Sequence, residues 1–586
     1  MSIQSADRSE LSVIQKLTTV FLGAMVFVPF LVWHHRQPLS TFYPEVITIA
    51  FGSLALVWFL SSKSWQALKL PLSVLLPVVL ILILLTQFSV GMHTYWQDYF
   101  LTGAVLLWAA FMMILGRNIN QTIVIPALSW AIFIGGLLTT FLMLIQLNEW
   151  VSVSWISPHV RGGYAANIGQ VNHAATYLAM AVGSLIFLLQ TDRIKLPVYL
   201  ISIIILLIGL VLTGQRMALL YVITFALFGP LLLRHLTNKP YSNWWIFLIL
   251  PVFLILNYLI PNILSEVNSS PIQRVVNAAT GESTRILLLQ QAWQMFTANP
   301  LLGVGSGGFG WHNFQLTEQY PGLTGYADNA HNIIFQLLAE YGVFAGIALL
   351  LLAGFWIVGQ FKVKLTAEGG WILFTLAVLT LHSLLEYPLW YSYFLGIAAL
   401  VIGMGDNRSY QLPTIKLGRP LAAGVLVFSI FIIGGVIKQY HELEGWYTDR
   451  RNGEMTNEEA IDFLYMLAER RDSSLFAPFF DVIIVRALPN NEDVAQDKLA
   501  MNTKFMHFLP GEIEVYAQVD LLVKTDQHNA ASEQLGKAIR QFPELMDWYW
   551  KHMTRALLVD RDTRYFPLIQ QLQVYQDEYL GIKDYQ

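Results

Sequence analysis

Apolar runs recur along the first three quarters of the chain, at 18–33, 43–60, 71–90, 99–116, 122–146, 172–190, 196–213, 217–233, 243–260, 332–359, 371–385, 389–405 and 420–437. Runs of about 17–25 apolar residues match a hydrocarbon core about 30 Å thick. The pattern therefore predicts an all-α polytopic membrane protein with about 13 transmembrane helices. The stretch 371–405 reads either as one overlong helix or as a hairpin turning at "LEYPLWY". Pro388 disfavours helical geometry at Tyr387, so the hairpin is expected. Long polar connections follow the fifth and ninth runs, the larger covering about 261–331. From Lys438 the pattern changes to amphipathic periodicity, as in "TNEEAIDFLYMLAERR" and "NAASEQLGKAIRQFPELMDWYW". Residues 1–437 are thus read as a transmembrane domain and 438–586 as a soluble helical domain of the tetratricopeptide (TPR-like) type. Such arrays usually offer a concave surface to a peptide or protein.

Composition agrees. Hydrophobic residues make up 55% of the 586 and charged residues only 13%, with a mean hydropathy of +0.51. A soluble domain carries about 25% charged residues. The net charge of −4 points away from nucleic acid, and the absence of cysteine excludes disulfides, thiol nucleophiles and thiolate metal sites. The first apolar run is not followed by a small-residue cleavage site, so a retained first span is expected rather than a removed signal peptide.

Charge fixes an expected orientation. Loops on the N-terminal side hold fourteen Lys and Arg, among them Lys63, Arg117, Lys195 and Lys362; the opposite loops hold Arg36, Arg161, Arg216, Arg274 and Arg285. By the positive-inside rule the N-terminus is cytoplasmic, while both long loops and the C-terminal domain face outward.

The outward arginines carry the candidate chemistry, because arginine near a bilayer is costly. Arg216 follows "TGQ" in a tight turn, Arg161 opens "RGGYAANIGQVNHAATYLAM", and Arg285 lies in "GESTRILLLQQAW". Their planar forks suit phosphate oxygens at any pH. His331 sits on the same side, in "GYADNAHNIIFQLLAEYG", with Asp328 and Asn329 as positioning and capping neighbours. Plainer readings exist for each residue. Arg216 could snorkel to lipid headgroups, Arg285 could pair with Glu282, and His331 could merely accompany a helix cap. His159, His173, His312 and His382 read as structural polar contacts. "GVGSGGFGW" lacks the GK[ST] ending of a phosphate-binding loop. No metal-ligand spacing is present among the scattered outer acids, and no cofactor is expected.

"TGQRMALL", "GESTRILLLQQAWQMFTANPLLGVGSGGFG" and "ADNAHNIIFQLLAEYGVFAGI" resemble the O-antigen ligase and polymerase superfamily. "RGGYAANIGQVNHAATYLA", "LHSLLEYPLWYSYFLG" and the extra C-terminal region look like its bacterial protein O-oligosaccharyltransferases. The resemblance covers about 150–405 well, the first five spans by hydropathy only, and the C-terminus loosely. It implies a bacterial inner-membrane enzyme working on the periplasmic face. Its donor would be an oligosaccharide on a polyprenyl (undecaprenyl) diphosphate, moved en bloc to Ser or Thr of an exported, pilin-like protein. It further implies His331 as general base and Arg216 and Arg285 as diphosphate-binding groups. Arg161, Gln170 and Tyr391 match the narrower group, and Glu386 falls within its "LEYPLWY" stretch. In-line attack without a metal would invert the anomeric centre. The alternative within the superfamily is an O-antigen ligase or polymerase acting on a sugar hydroxyl of lipid A-core or of a growing glycan. A transporter of the same lipid would instead show polar sites at mid-membrane.

Overall fold

The computed structural model describes residues 3–61, 67–148, 154–158, 163–233, 243–263, 271, 284–412, 418–453, 455–488 and 492–583. The described chain is almost entirely helical. Its sheet is one antiparallel pair, Lys69–Pro71 with Ser409–Gln411, in which Lys69 faces Gln411. Ten described helices are long and apolar enough to cross a membrane, and Leu196–Leu212, Arg216–Pro230 and Ser392–Gly405 are shorter apolar helices. Together they overlap the thirteen apolar runs. At "LEYPLWY" the helix Ala367–Leu385 stops, one 3₁₀ turn (Pro388–Trp390) intervenes, and Ser392–Gly405 begins.

The chain forms two compact units, each interleaved along the sequence. The first comprises 1–81, 104–282 and 347–447. Its centre is the helix Val171–Gln190, packed by Gln121–Asn148, Leu196–Leu212, Arg216–Leu233 and Ala367–Leu385. A helix apolar on every side is a core helix. Here Ala174, Ala175, Ala179, Ala181 and Ser184 keep it thin enough for its neighbours to close in, and all five are buried. Backbone contact is closest between Gly116 and Gly403, where an added Cβ would strike the carbonyls of Leu400 and Met113 respectively. The helix Gly418–Asn452 runs on without a break past Lys438, where the composition changes. At about 1.5 Å per residue its 35 residues exceed what a bilayer core requires. Its far end is anchored through buried Glu444, which accepts from the Tyr43 hydroxyl and lies against His34 Nε2, both at 2.5 Å.

The second unit comprises 82–103, 283–346 and 448–586. Its C-terminal part is a run of short helices, each packed on the next from Asn457–Arg470 through Ala477–Ala487, Glu492–Phe508 and Glu512–Lys524 to His528–Gln541. The first begins with a full capping box, Thr456 and Glu459. Tyr516, Leu535, Tyr549 and Leu572 fill the core of this run. The segment 82–103 joins it through Asp481, which is wholly buried. Asp481 accepts from the Tyr95 hydroxyl at 2.6 Å and from both forks of Arg471. Burial, reinforced by that carboxylate, pushes the Tyr95 phenol well above its ordinary range.

Candidate active site

In the second unit, the segment 325–342 changes from loop to helix in four residues. The helix Ile333–Gln360 starts with Asn332 as its cap, whose Oδ1 accepts from Ile334 N at 3.0 Å and Phe335 N at 3.3 Å. An asparagine in that position is worth about 1 kcal/mol. Asp328 and Asn329, the expected capping neighbours, do something else. Asn329 is buried, its Oδ1 accepts the backbone N–H of His331 at 3.0 Å, and its Nδ2 donates to Asp328 Oδ1 at 2.6 Å. The cap lies later because His331 intervenes with φ of +50°. Non-glycine residues enter this left-handed region at a penalty of about 1–2 kcal/mol. Such strain persists only where surrounding bonds over-determine it. Those bonds are the Asn329 clasp before the histidine and the Asn332 cap after it, and a third joins the Ala330 N–H to Gln336 Oε1 at 2.7 Å. The imidazole itself is half-buried.

The helix that follows is broken at Gly342 (φ 75°, ψ −168°). Backbone groups freed there, a carbonyl and an N–H, are taken up by the loop before it. Val304 N donates to Ala339 O and Val343 N to Pro300 O, each at 2.8 Å. Buried Gln87 donates to Leu302 O and Glu340 O at 2.7 Å and accepts from Ser306 N at 3.2 Å. Backbone this irregular is tolerated at membrane depth only when protein satisfies it. A Cβ on Gly303 would strike the Glu340 backbone, and one on Gly342 would strike the Leu301 carbonyl. The run "GVGSGGFG" is thus a brace for the broken helix. Buried Glu340 accepts from Phe309 N at 3.3 Å, and Tyr341 meets Ser306 Oγ at 2.8 Å. Arg285, half-buried, is the second residue of the helix Thr284–Ala298. Its suggested partner Glu282 lies outside the described residues. Nearby His312 bonds Gly308 O at 2.9 Å, and burial pushes its pKa down, which keeps it neutral near pH 7.

In the first unit, Arg216 opens the helix Arg216–Leu233 directly after the turn at Gly214 (φ 63°). It is half-buried, and its side chain has no hydrogen-bond or ion-pair partner among the described residues. Arg161 lies outside the described residues. The segment that follows it does pack on the Arg216 turn, through Tyr164 N to Leu212 O at 3.0 Å and a Gly163 too close to Thr213 O to carry a Cβ. Gln170 precedes the central helix, with its Oε1 buried and without a partner among the described residues. Glu386 and Tyr391 come to the same end of that helix. Glu386 accepts from Asn172 Nδ2 at 3.3 Å, and the Tyr391 ring stands 4.6 Å from His173. Deeper lie His173 against the Tyr393 hydroxyl at 2.9 Å and His382 Nδ1 against Thr176 Oγ1 at 2.8 Å, with Tyr221 beyond. These match the structural role expected of both histidines. No group of three His, Asp or Glu side chains that could hold a metal ion occurs among the described residues.

The sequence reading missed Asn332, Gln336, Gln87 and Glu340. Polar residues inside apolar runs were the available signal for the last three.

Comparison with known proteins follows the motifs. Residues 201–351 match a family described as O-antigen ligase, and residues 371–553 one described as virulence factor membrane-bound polymerase, C-terminal. The chain is 24% identical to a general O-oligosaccharyltransferase of Acinetobacter baylyi over 458 residues, covering 73% of this chain and 77% of that protein. It is 25% identical to a ComP-specific O-oligosaccharyltransferase of the same organism over 387 residues, covering 64% and 68%. The resemblance to the O-antigen ligase and O-oligosaccharyltransferase superfamily is borne out; the names of these relatives support a glycosyltransferase, and the ten apolar helices support a multi-pass membrane protein.

Proposed function

We propose that the protein transfers an oligosaccharide en bloc from undecaprenyl diphosphate to Ser or Thr hydroxyls of exported proteins such as a pilin. The work would occur on the periplasmic face of a bacterial inner membrane. In this reading thirteen helices cross the bilayer, the N-terminus is cytoplasmic, and the loop at about 261–331 and the TPR-like domain at 438–586 are periplasmic. The acceptor hydroxyl attacks the anomeric carbon as its proton passes to the His331 imidazole. The bond from that carbon to the diphosphate oxygen breaks, the electron pair leaves with undecaprenyl diphosphate, and the anomeric centre inverts. A general base of this kind supplies about 10²- to 10⁴-fold. Arg216, Arg285 and Arg161 bind the diphosphate and balance its growing charge. Asp328 and Asn329 position the base, while Gln170, Glu386 and Tyr391 support the acceptor side. No step calls on a metal or cofactor.

The observation that carries this reading is the strained, doubly clasped backbone of His331, because a plain capping residue would need none of it. The two O-oligosaccharyltransferase relatives support a protein acceptor. The O-antigen ligase match at 201–351 favours a second reading, in which the hydroxyl belongs to lipid A-core. Purified enzyme given undecaprenyl-diphosphate-linked oligosaccharide with pilin or with lipid A-core separates the two by intact mass. A glycan-sized increase on pilin is expected; an increase on lipid A-core alone would overturn the proposal.

A further inference from the structure

The last residue of the helix His528–Gln541 enters a buried cluster of side-chain amides that reaches both the loop before His331 and the helix that carries Arg285. Gln541 is 1% exposed. Its carbonyl accepts from Gly325 N at 2.6 Å, and its Nε2 donates back to the Gly325 carbonyl. The same Nε2 lies 3.2 Å from Asn313 Oδ1, and the Thr317 hydroxyl lies 3.1 Å from Gln541 Oε1. Asn313 is fully buried. Its Nδ2 donates to Gln291 Oε1 at 2.7 Å, and its Oδ1 also receives Ala327 N at 3.4 Å. Gln291, fully buried too, lies on the helix Thr284–Ala298 that carries Arg285. Gly325 and Ala327 lie just before Asp328 on the segment that ends in His331.

One glutamine of the C-terminal domain therefore bonds the histidine loop directly and reaches the arginine helix through one further side chain. Around it the contact is ordinary docking. Phe314 is buried in the domain's core, Trp311 stacks on His507 at 4.0 Å, Lys537 donates to Gln315 at 2.8 Å, and Arg540 pairs with Glu318 at 3.0 Å. Those contacts would hold the domain in place without any amide at position 541. A closed polar cluster adds direction as well as attraction, since each donor has one geometry that satisfies it.

We propose that the Gln541–Asn313–Gln291 amide relay sets the register of the His331 loop against the Arg285 helix, making the C-terminal domain a positioning element of the transfer reaction. The proposal rests on the reading of His331 as base and Arg285 as diphosphate ligand. It gives the domain a task apart from acceptor capture. Gln541 and Asn313 are positioning residues, acting through the two segments they bond.

The test uses the full-length enzyme in nanodiscs, undecaprenyl-diphosphate-linked oligosaccharide and purified pilin. Gln541→Ala is expected to lower kcat about 10- to 100-fold, the effect of a misplacement near 1 Å. Both KM values should stay within about twofold, because only the register of reacting groups has changed. Asn313→Ala should do the same, and the double variant should be no worse than either single one, as expected of members of one network. Arg540→Ala, which removes the half-exposed ion pair with Glu318 and the guanidinium over the Tyr575 ring but none of the amide relay, should remain near wild-type rate. Should Gln541→Ala fail to fold, Thr317→Val loosens the relay while leaving both Gly325 bonds, and a few-fold loss of kcat is expected. An unchanged kcat in the folded variant overturns the proposal. So does a rise confined to acceptor KM, which would make the domain a capture surface. A wild-type enzyme that modifies only lipid A-core overturns the protein-acceptor reading instead, and the same variants are then timed on that acceptor.

Discussion

His382 lies in the last turn of a regular helix, fully buried, with Nδ1 against the Thr176 hydroxyl and Nε2 without a partner among the described residues. His331 lies just before the cap of another helix, half-buried, on backbone that only glycine adopts freely. Three hydrogen bonds from neighbouring side chains hold that short stretch of chain. One imidazole bonds a neighbouring helix inside a bundle. The other is presented at a strain the fold could have avoided with almost any other arrangement. Location at a helix end does not distinguish them. Backbone conformation and enclosure do.

Substitution tests that contrast most directly. His331→Ala should cut oligosaccharide transfer about 10²- to 10⁴-fold with normal membrane insertion. His382→Ala should leave kcat within a few-fold and mainly lower Tm, since removing a fully buried ring leaves a cavity in the bundle. Equal losses of transfer would erase the difference. A smaller effect isolates the strain. Because φ of +50° suits glycine, His331→Gly should be more stable than His331→Ala by about 1 kcal/mol in detergent unfolding, with both inactive. The reverse order would contradict the backbone reading.

The smallest effect concerns a third histidine. His552 Nε2 lies 2.9 Å from Asp520 Oδ2, and that carboxylate raises its pKa above the ordinary value. The ion pair is therefore fully formed below the unfolded value near 6.5 and fades as pH rises through the higher folded value. Tm of the wild type should fall slightly more than that of His552→Asn between pH 6 and 8. A parallel pH response in both proteins would remove the ion pair from the account.

The apolar runs located the helices because burial in lipid leaves so direct a mark on composition. They did not reveal the break at Gly342, since "LLAEYGVFAGI" holds one charged residue and no proline, and the carbonyls freed there are satisfied by distant Gln87 and by the 300–304 loop. Asp328 and Asn329 were natural capping candidates by residue type. The cap moved to Asn332 once His331 took a left-handed conformation, which no local pattern announces. Lys438 marks a change in hydropathy, yet the helix continues to Asn452 because polar residues sustain helices in water as well. Gln541 reads in sequence as a solvated helix end. Its burial is created by residues 313–325, and only tertiary structure joins them.

The interleaved make-up of the second unit also bears on how the protein is made. Phe314 is fully buried, but the residues that cover it lie between Leu499 and Leu572 and leave the ribosome much later. At about 5–20 residues per second that interval is on the order of tens of seconds. Throughout it an apolar loop, its unpaired amides and the segment that ends in His331 stand without their cover. This is the period when proteases and chaperones have access, and a stalled or prematurely ended chain would be recognised by that exposed loop rather than by a defect in its membrane helices.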